Sequence, residues 1–491
     1  MKNIKYHVLD VSEKKKEHYR SGNRFSPFDV GIPLFDVSDK TIEEIYYFRW
    51  HTYCKHIKET PEGFVITEFL PDVPWAGKYN TISCPAGHHF YEGRWLHDQQ
   101  FINSYARFWF TEDASPRLYS FWAVDSIWAA CCATGDFTSV EELYELLKDN
   151  YAAWEAEKRM ENGLFYQIDD RDGMEYSAGG SGARPTINSY MYGDAIALSK
   201  IARRLGKEEE ANIYMQKAVE IKENMDGALW DAGVCFYKTL AETKGFERTD
   251  MCELIGYIPW YFNLPDEDKA NAWKYLNNEK YFSAPFGPTT AERKCPEFMK
   301  EYDHECLWNG PSWPFATSQT LTALGNLLCN YEQSVMTKSD YYKLLKQFAS
   351  CHYLTEDGKT VPFIDENLDP FTGEWLARKI LKAQPGSQGI PERGKDYNHS
   401  TFCDLVLNGL AGVRAREDNI LEINPLFTSE DLDYLCADAI MYHGHNICVL
   451  WDKSGERYKR GMGFKVYCDG KEVYSSDVPE KAEIDLMLME R

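Results

Sequence analysis

YSFWAVDSIWAACCATG, residues 119–135, runs directly into DFTSVEELYELLKDNYAAWEAEKR, residues 136–159. Apolar residues recur at i, i+3, i+4 and i+7 in both stretches, the helical period. The first is apolar on nearly every side, whereas the second carries charge along one face. A helix packed all round is thus followed by one that borders water. The pattern returns in TINSYMYGDAIALSKIARRLG (186–206) with EEEANIYMQKAVEIKENMDGALW (208–230), and in PSWPFATSQTLTALGNLLCNY (311–331) with SDYYKLLKQFASCHYL (339–354). Further helical segments are expected at 41–57, 101–110, 250–262, 266–276, 373–383 and 400–413. Inner and outer helices in alternation, six pairs of them, make an (α/α)6 barrel, so the expected fold is mainly α. A stacked solenoid is disfavoured, because no repeat of fixed period occurs.

The flanks read differently. Residues 1–95 are expected to be a mixed α/β segment. Its helix carries Thr41 and Glu44 at capping-box spacing, its strand is GFVITEFL (63–70), and PWAGKYNTISCPAGHHFYEGRW (74–95) is a long ordered loop suited to a lid. Residues 96–413 form the helical barrel domain. Residues 414–491 are short β runs divided by Asp452-Lys453-Ser454-Gly455 and Cys468-Asp469-Gly470-Lys471, a small antiparallel β domain with no assigned chemistry.

Lys and Arg number 54 and Asp and Glu 77, a net charge of −23, which opposes nucleic acid and anionic lipid partners. No apolar run is long enough to span a bilayer, and the first residues, MKNIKYHVLD, lack a signal-peptide core. The 14 cysteines include no C-x-x-C pair, so reduced thiols, a cytoplasmic location, and no metal or cofactor are expected. Oligomeric state stays open, a homo-oligomer included. Aromatics at 15% suit a sugar-binding protein, since ring faces pack on pyranose C–H groups, although aromatics also fill cores.

Inverting hydrolysis of a glycoside needs a carboxylic acid for the leaving oxygen and a carboxylate for water. Three loops offer them. GLFYQIDDRDGMEYSAGGSGARPTIN (163–188) holds Asp169, Asp170, Asp172 and Glu175; its plainer reading is a solvated acidic turn. HECLWNGPSWPF (304–315) holds Trp308, Asn309, Gly310 and Trp313, or is only a helix start. FIDENLDPFTGEW (363–375) holds Asp365, Glu366 and Asp369, the last also a turn former.

Together these loops resemble the helical-barrel glycosidases that include trehalases, processing α-glucosidases and mannosylglycerate hydrolases. Gly173-Met174-Glu175-Tyr176-Ser177 stands where that family has G-(M/W)-D-x-(S/A) with the general acid. Glu366-Asn367-Leu368-Asp369-Pro370-Phe371-Thr372-Gly373 stands where it has E-(N/K)-Y-(N/D)-P-x-(T)-G with the general base. Trp308 to Trp313 is similar to its W-x-G-P-x-W. Trp122 to Ser126 would put Asp125 on sugar hydroxyls, and Asn188 opens the N-x-Y-x-Y-x-x-A run. The resemblance spans about residues 95–413. It implies a six-hairpin glycosidase, inverting and exo-acting on a short α-linked glycoside, with Glu175 as acid and Glu366 as base. Trp122, Asp125, Asn188, Trp308, Asn309, Gly310 and Trp313 would bind substrate.

Two departures stand out. Glu175 replaces Asp, which moves the carboxyl by about one C–C bond length and leaves Asp172 as an alternative acid; Leu368 replaces Tyr. Outside the resemblance, Trp75, His89 and Arg94 are expected to contact substrate from the lid, with a buried cluster or a metal site around His88, His89 and Glu92 as the other readings. Glu392, Arg393 and His399 either contact the substrate or cap the last helix. The rival functions are a sugar epimerase, which would use paired histidines, a glycoside phosphorylase using Arg184 beside its glycines, and a non-catalytic sugar-binding protein.

Overall fold

The computed structural model describes residues 7–111, 113–383, 390 and 392–489. Near the N-terminus lie α1 (Val11–His18), β1 (Leu34–Val37), α2 (Lys40–Lys55) and the hairpin of β2 (Ile57–Thr60) with β3 (Gly63–Ile66). The helical body follows as α3 (Ala86–Gly93), α4 (Gln100–Phe108), α5 (Ala123–Thr134), α6 (Thr138–Lys158), α7 (Pro185–Arg204), α8 (Glu208–Ala228), α9 (Pro314–Asn330), α10 (Lys338–Ser350) and α11 (Leu376–Ala383). The chain is mainly helical, with a β-rich C-terminal region.

Helices α5, α7 and α9 are buried on nearly all sides, and in α9 every residue from Pro314 to Leu327 is covered. By contrast α8 buries one stripe, Ala211, Tyr214, Ala218, Ile221 and Met225, at the 3.6-residue period. The alternation in the sequence is therefore an alternation of burial. Each buried helix is tied to its outer partner by a short loop, as at Gly206, whose φ of 72° reverses the chain between α7 and α8.

Several expectations need correction. The stretch 74–95 is not a loop throughout: its second half is α3. Gly87 and Gly93 are there for close approach, since a Cβ would stand 2.1 Å from Trp122 and 2.2 Å from the Tyr53 hydroxyl. Asp39, rather than Thr41, caps α2, accepting from the N–H groups of Thr41 (3.1 Å) and Ile42 (3.3 Å). Residues 250–262 make only short turns, Leu254–Tyr257 and Ile258–Tyr261, because Pro259 lacks an N–H and Gly256 is pressed against Phe236. Residues 267–275 form a 3₁₀ helix rather than an α-helix. After the exposed Glu267 and Asp268 that open it, its exposed positions Asn271 and Lys274 continue from Asp268 at every third residue, the 3₁₀ period. The last helical segment is a π-helix over Leu405–Leu410.

The C-terminal strands are β4 (Ile420–Ile423), β5 (Tyr434–Tyr442), β6 (His445–Asp452), β7 (Gly463–Cys468), β8 (Lys471–Ser476) and β9 (Ala482–Asp485). The five-stranded sheet has the order β1-β5-β6-β7-β8, so a strand from the first 40 residues completes it. A second sheet sets β4 between Val413–Arg414 and β9. Among the described residues no helix is long and apolar enough to cross a membrane.

Candidate active site

The loop before α7 begins with a 3₁₀ turn, Asp169–Asp172, and reverses at Gly173, whose φ is 68° and whose Cβ would stand 2.4 Å from Cys84 Sγ. Asp172 is fixed inside this turn. It accepts from Ser120 Oγ (2.5 Å), Arg184 Nε (2.6 Å) and the Thr186 hydroxyl, and is buried. Arg184 also donates to Ser177 Oγ (2.8 Å) and the Gly180 carbonyl (2.5 Å). The same turn thereby aims Glu175, three residues on, in another direction.

The three loops are stitched to one another by backbone. Trp308 N–H donates to the Glu175 carbonyl (3.0 Å), and Ser312 and Leu368 exchange hydrogen bonds of 2.8 and 2.9 Å. Asn367 donates to the Glu305 carbonyl (3.1 Å) and accepts from Ala377 N–H in the first turn of α11 (2.9 Å). Asp369 is indeed a turn former, accepting from the N–H groups of Phe371 (2.8 Å) and Thr372 (3.0 Å). Trp308 and Trp313 stack at 4.4 Å.

These loops close on a cavity of about 280 Å³. Glu175, Glu366, Trp75, Trp308 and Trp313 line it, and Arg393 and His399 join them from the segment after α11, whose Gly389 and Pro391 lie outside the described residues. Glu366 is 1% exposed. Arg393 donates to its Oε1 through Nε (3.2 Å) and to Oε2 through Nη2 (3.4 Å), while Cys306 Sγ lies 2.9 Å from Oε2. Nη2 of Arg393 also holds Glu305 Oε1 at 2.6 Å. Among the described residues Glu175 has no such cation. Burial first, then the charges of Asp170, Glu366 and Glu68, push its carboxyl up to about 8.

The other expected site residues lie elsewhere. Trp122 is buried against His88, Tyr190 and Tyr261. Asn188 fastens the start of α7 to Phe165 through bonds of 2.8 and 3.0 Å. His89 is a core residue bonded to Tyr105 (3.1 Å) and the Asn398 carbonyl (2.5 Å), and Arg94 is buried against Asp404 (2.8 Å). Asn309 binds the carbonyls of Glu297 and Lys300 (both 2.8 Å), and Gly310 N–H reaches Thr290 Oγ1 (2.9 Å). Asp125 and Arg94 face a second cavity, lined also by Lys200 and Arg416. The lid reading thus keeps Trp75 alone. Glu92 accepts from the N–H groups of Phe402, Cys403 and Asp404 (2.8–3.1 Å), so within the H-H-x-x-E cluster Glu92 and His89 belong to a buried hydrogen-bonded support. His88 is packed against Trp122 and Phe315, with no hydrogen bond to either ring nitrogen among the described residues. Glu392 pairs with Arg378 (2.8 Å).

Glu68, Tyr119, Glu305, Cys306 and Tyr397 line the cavity without having been singled out in the sequence. Glu68 had one visible signal, a lone carboxylate inside the apolar run GFVITEFL. The family model described as "Mannosylglycerate hydrolase MGH1-like glycoside hydrolase domain" matches residues 78–400. The chain belongs to this family. The MGH1-like segment contains all three loops and the Arg393 turn, and excludes Glu68 and Trp75. Among solved structures, a chain named "Sialidase" is 38% identical with a TM-score of 0.89, over 98% of this chain and 45% of that one. This chain therefore spans less than half of that relative. A GH78 family rhamnosidase of Bacillus sp. GL1 is 13% identical with a TM-score of 0.54, over 86% and 40% of the two chains. The GH63 mannosylglycerate hydrolase from Thermus thermophilus in complex with Tris is 10% identical with a TM-score of 0.50, over 70% and 96%. These last two show likeness of fold alone.

Proposed function

We propose that this MGH1-like chain is an inverting glycosidase acting from the end of a short α-linked oligosaccharide or glycoside. The observation that carries the reading is one cavity holding two carboxyls in opposite surroundings: Glu366 is paired with Arg393, and Glu175 has no cation paired with it among the described residues. In the reaction, Glu175 gives its proton to the glycosidic oxygen as the C1–O bond breaks. Glu366 takes a proton from the water that attacks C1 from the other face, and solvent resets both groups. Asp172 is a poor alternative acid, because all its reach is taken up by Ser120, Arg184 and Thr186.

A cavity of about 280 Å³ lies just below the range for small-molecule sites, roughly 300–1,000 Å³. That size suits one sugar ring with a small leaving group and so favours exo action. The stacked Trp308–Trp313 pair supplies an apolar wall for the ring. We read the alternating buried and one-faced helices as the inner and outer rings of an (α/α)6 barrel. Arg184 is committed to Asp172, Ser177 and Gly180, and Arg393 to Glu305 and Glu366. Of the arginines that line the cavity only Arg171, 3.9 Å from Asp170, is left for phosphate, which makes phosphorolysis the weaker reading.

A panel of α- and β-linked disaccharides and aryl glycosides, with and without phosphate, tests the reading, with proton NMR of the first product formed. Hydrolysis that inverts the anomeric centre and ignores phosphate is expected. A product of retained configuration, or turnover that needs phosphate, contradicts it.

A further inference from the structure

We propose that Glu68 is a specificity-determining residue, whose carboxyl hydrogen-bonds a ring hydroxyl of the sugar held between Glu175 and Glu366. The identity of that ligand rests on the hydrolase reading. Glu68 lies two residues past β3 and ahead of residues 78–400, so membership of the family assigns it nothing.

Glu68 is 5% exposed and lines the cavity. Its Oε1 accepts from the Tyr397 hydroxyl, and among the described residues no hydrogen bond reaches Oε2 and no cation pairs with the carboxyl. A carboxyl enclosed without a salt bridge and with one oxygen unpartnered costs stability that a leucine would not. Packing alone therefore does not account for it, whereas a ligand hydroxyl meeting Oε2 does. Burial, reinforced by the charge of Glu366, pushes the group up to about 8, although Tyr397 and Arg393 pull the other way. Near neutrality it offers both an O–H donor and a carbonyl acceptor, the pair a sugar hydroxyl can satisfy. It does so without placing a further negative charge beside Glu366.

The surrounding wall fixes the carboxyl in place. Asn398 N–H donates to the Glu68 carbonyl (3.2 Å), Phe69 stacks on Tyr397 at 4.8 Å, and the Arg393 guanidinium lies 5.0 Å from the Trp75 ring. The strap from Glu68 to Trp75 is thus joined to the turn that carries Arg393. A group so held loses little freedom on binding.

The test is equilibrium binding of glucose, mannose, galactose and rhamnose to the full chain, wild type, Glu68→Gln and Glu68→Ala, by calorimetry and ligand-observed NMR. The preferred sugar should bind about tenfold more weakly to Glu68→Ala and nearly normally to Glu68→Gln, whose amide also donates and accepts. One monodeoxy analogue should lose the same factor on wild type and nothing further on Glu68→Ala. If Glu68→Ala does not fold, Glu68→Gln with the deoxy series on wild type decides. The proposal is overturned by equal affinity for wild type and Glu68→Ala, by a deoxy series with no such member, or by a wild type that binds none of the four. Turnover of the aryl glycosides is a separate readout, so the hydrolase reading can stand while this one falls.

Discussion

Burial holds Glu175 at about 8, so it carries its proton at neutral pH, and the sign of the pH dependence follows. As the proposed acid it is competent below that value and is lost as pH rises through it, so kcat/KM should fall on the alkaline side with an apparent midpoint near 8. Glu175→Gln should cost roughly 10²- to 10⁴-fold on a disaccharide and less on an aryl glycoside whose leaving group needs no proton. A rate profile flat from pH 6 to 10 would contradict the assignment. Glu68 supplies a matching stability signature. Its pKa is raised from 4.5 to about 8 on folding, so its contribution is full below 4.5 and is lost as pH rises through about 8. Glu68→Gln removes that titration, and calorimetry should show a smaller decline in Tm between pH 5 and 8 than in wild type. An unchanged slope would mean that Glu68 is already ionised in the folded protein.

At the scale of elements, the turn Asp169–Gly173 separates a structural carboxylate, Asp172, from the proposed acid, Glu175. Asp172→Ala leaves Arg184 buried without its partner, and breaking such a pair costs about 3–5 kcal/mol. Chemical denaturation should show that loss, whereas Glu175→Gln should leave stability unchanged or improved. Equal stability of Asp172→Ala and wild type would contradict this division. The sequence alone left the two acids open, because spacing places both in one loop but does not say which way a 3₁₀ turn faces them. The paired helices were legible, since α5 with α6 and α9 with α10 differ plainly in charge. Helix α3 was hidden by GHHFYEG, where the glycines that usually mark a loop serve contact with Trp122 and Tyr53. The 3₁₀ segment 267–275 carried its period in Asp268, Asn271 and Lys274, yet the same residues also fit an α-helix.

Across the whole molecule, the ends of the chain are joined. β1 pairs with β5 in register from Leu34–Asp438 to Val37–Leu435, and its Asp36 holds Lys14 (3.0 Å), Arg457 (3.0 Å) and the Tyr458 hydroxyl (2.8 Å). Lys14 leads the attractions that lower the Asp36 carboxyl to about 2 against its burial, so this support is present above 3.8 and is lost as pH falls through about 2. A chain cut at residue 413 exposes the buried Leu34, Phe35 and Val37; it should be insoluble or lack a cooperative melt, and a well-folded fragment would contradict the coupling. The C-terminal strands were readable from alternation and turn residues, but nothing local in LFDV names a partner some 400 positions away. The same distance hid the assembly of the site, where Glu68, Glu175, Glu366 and Arg393 meet from four separate stretches. Glu366 is the residue on which this assembly converges. The most direct measurement is kcat for wild type and Glu366→Gln on the first glycoside found to turn over, with melting curves to confirm that both are folded. A drop of roughly 10²-fold or more in a folded variant is the predicted result, and turnover equal to wild type would contradict the account.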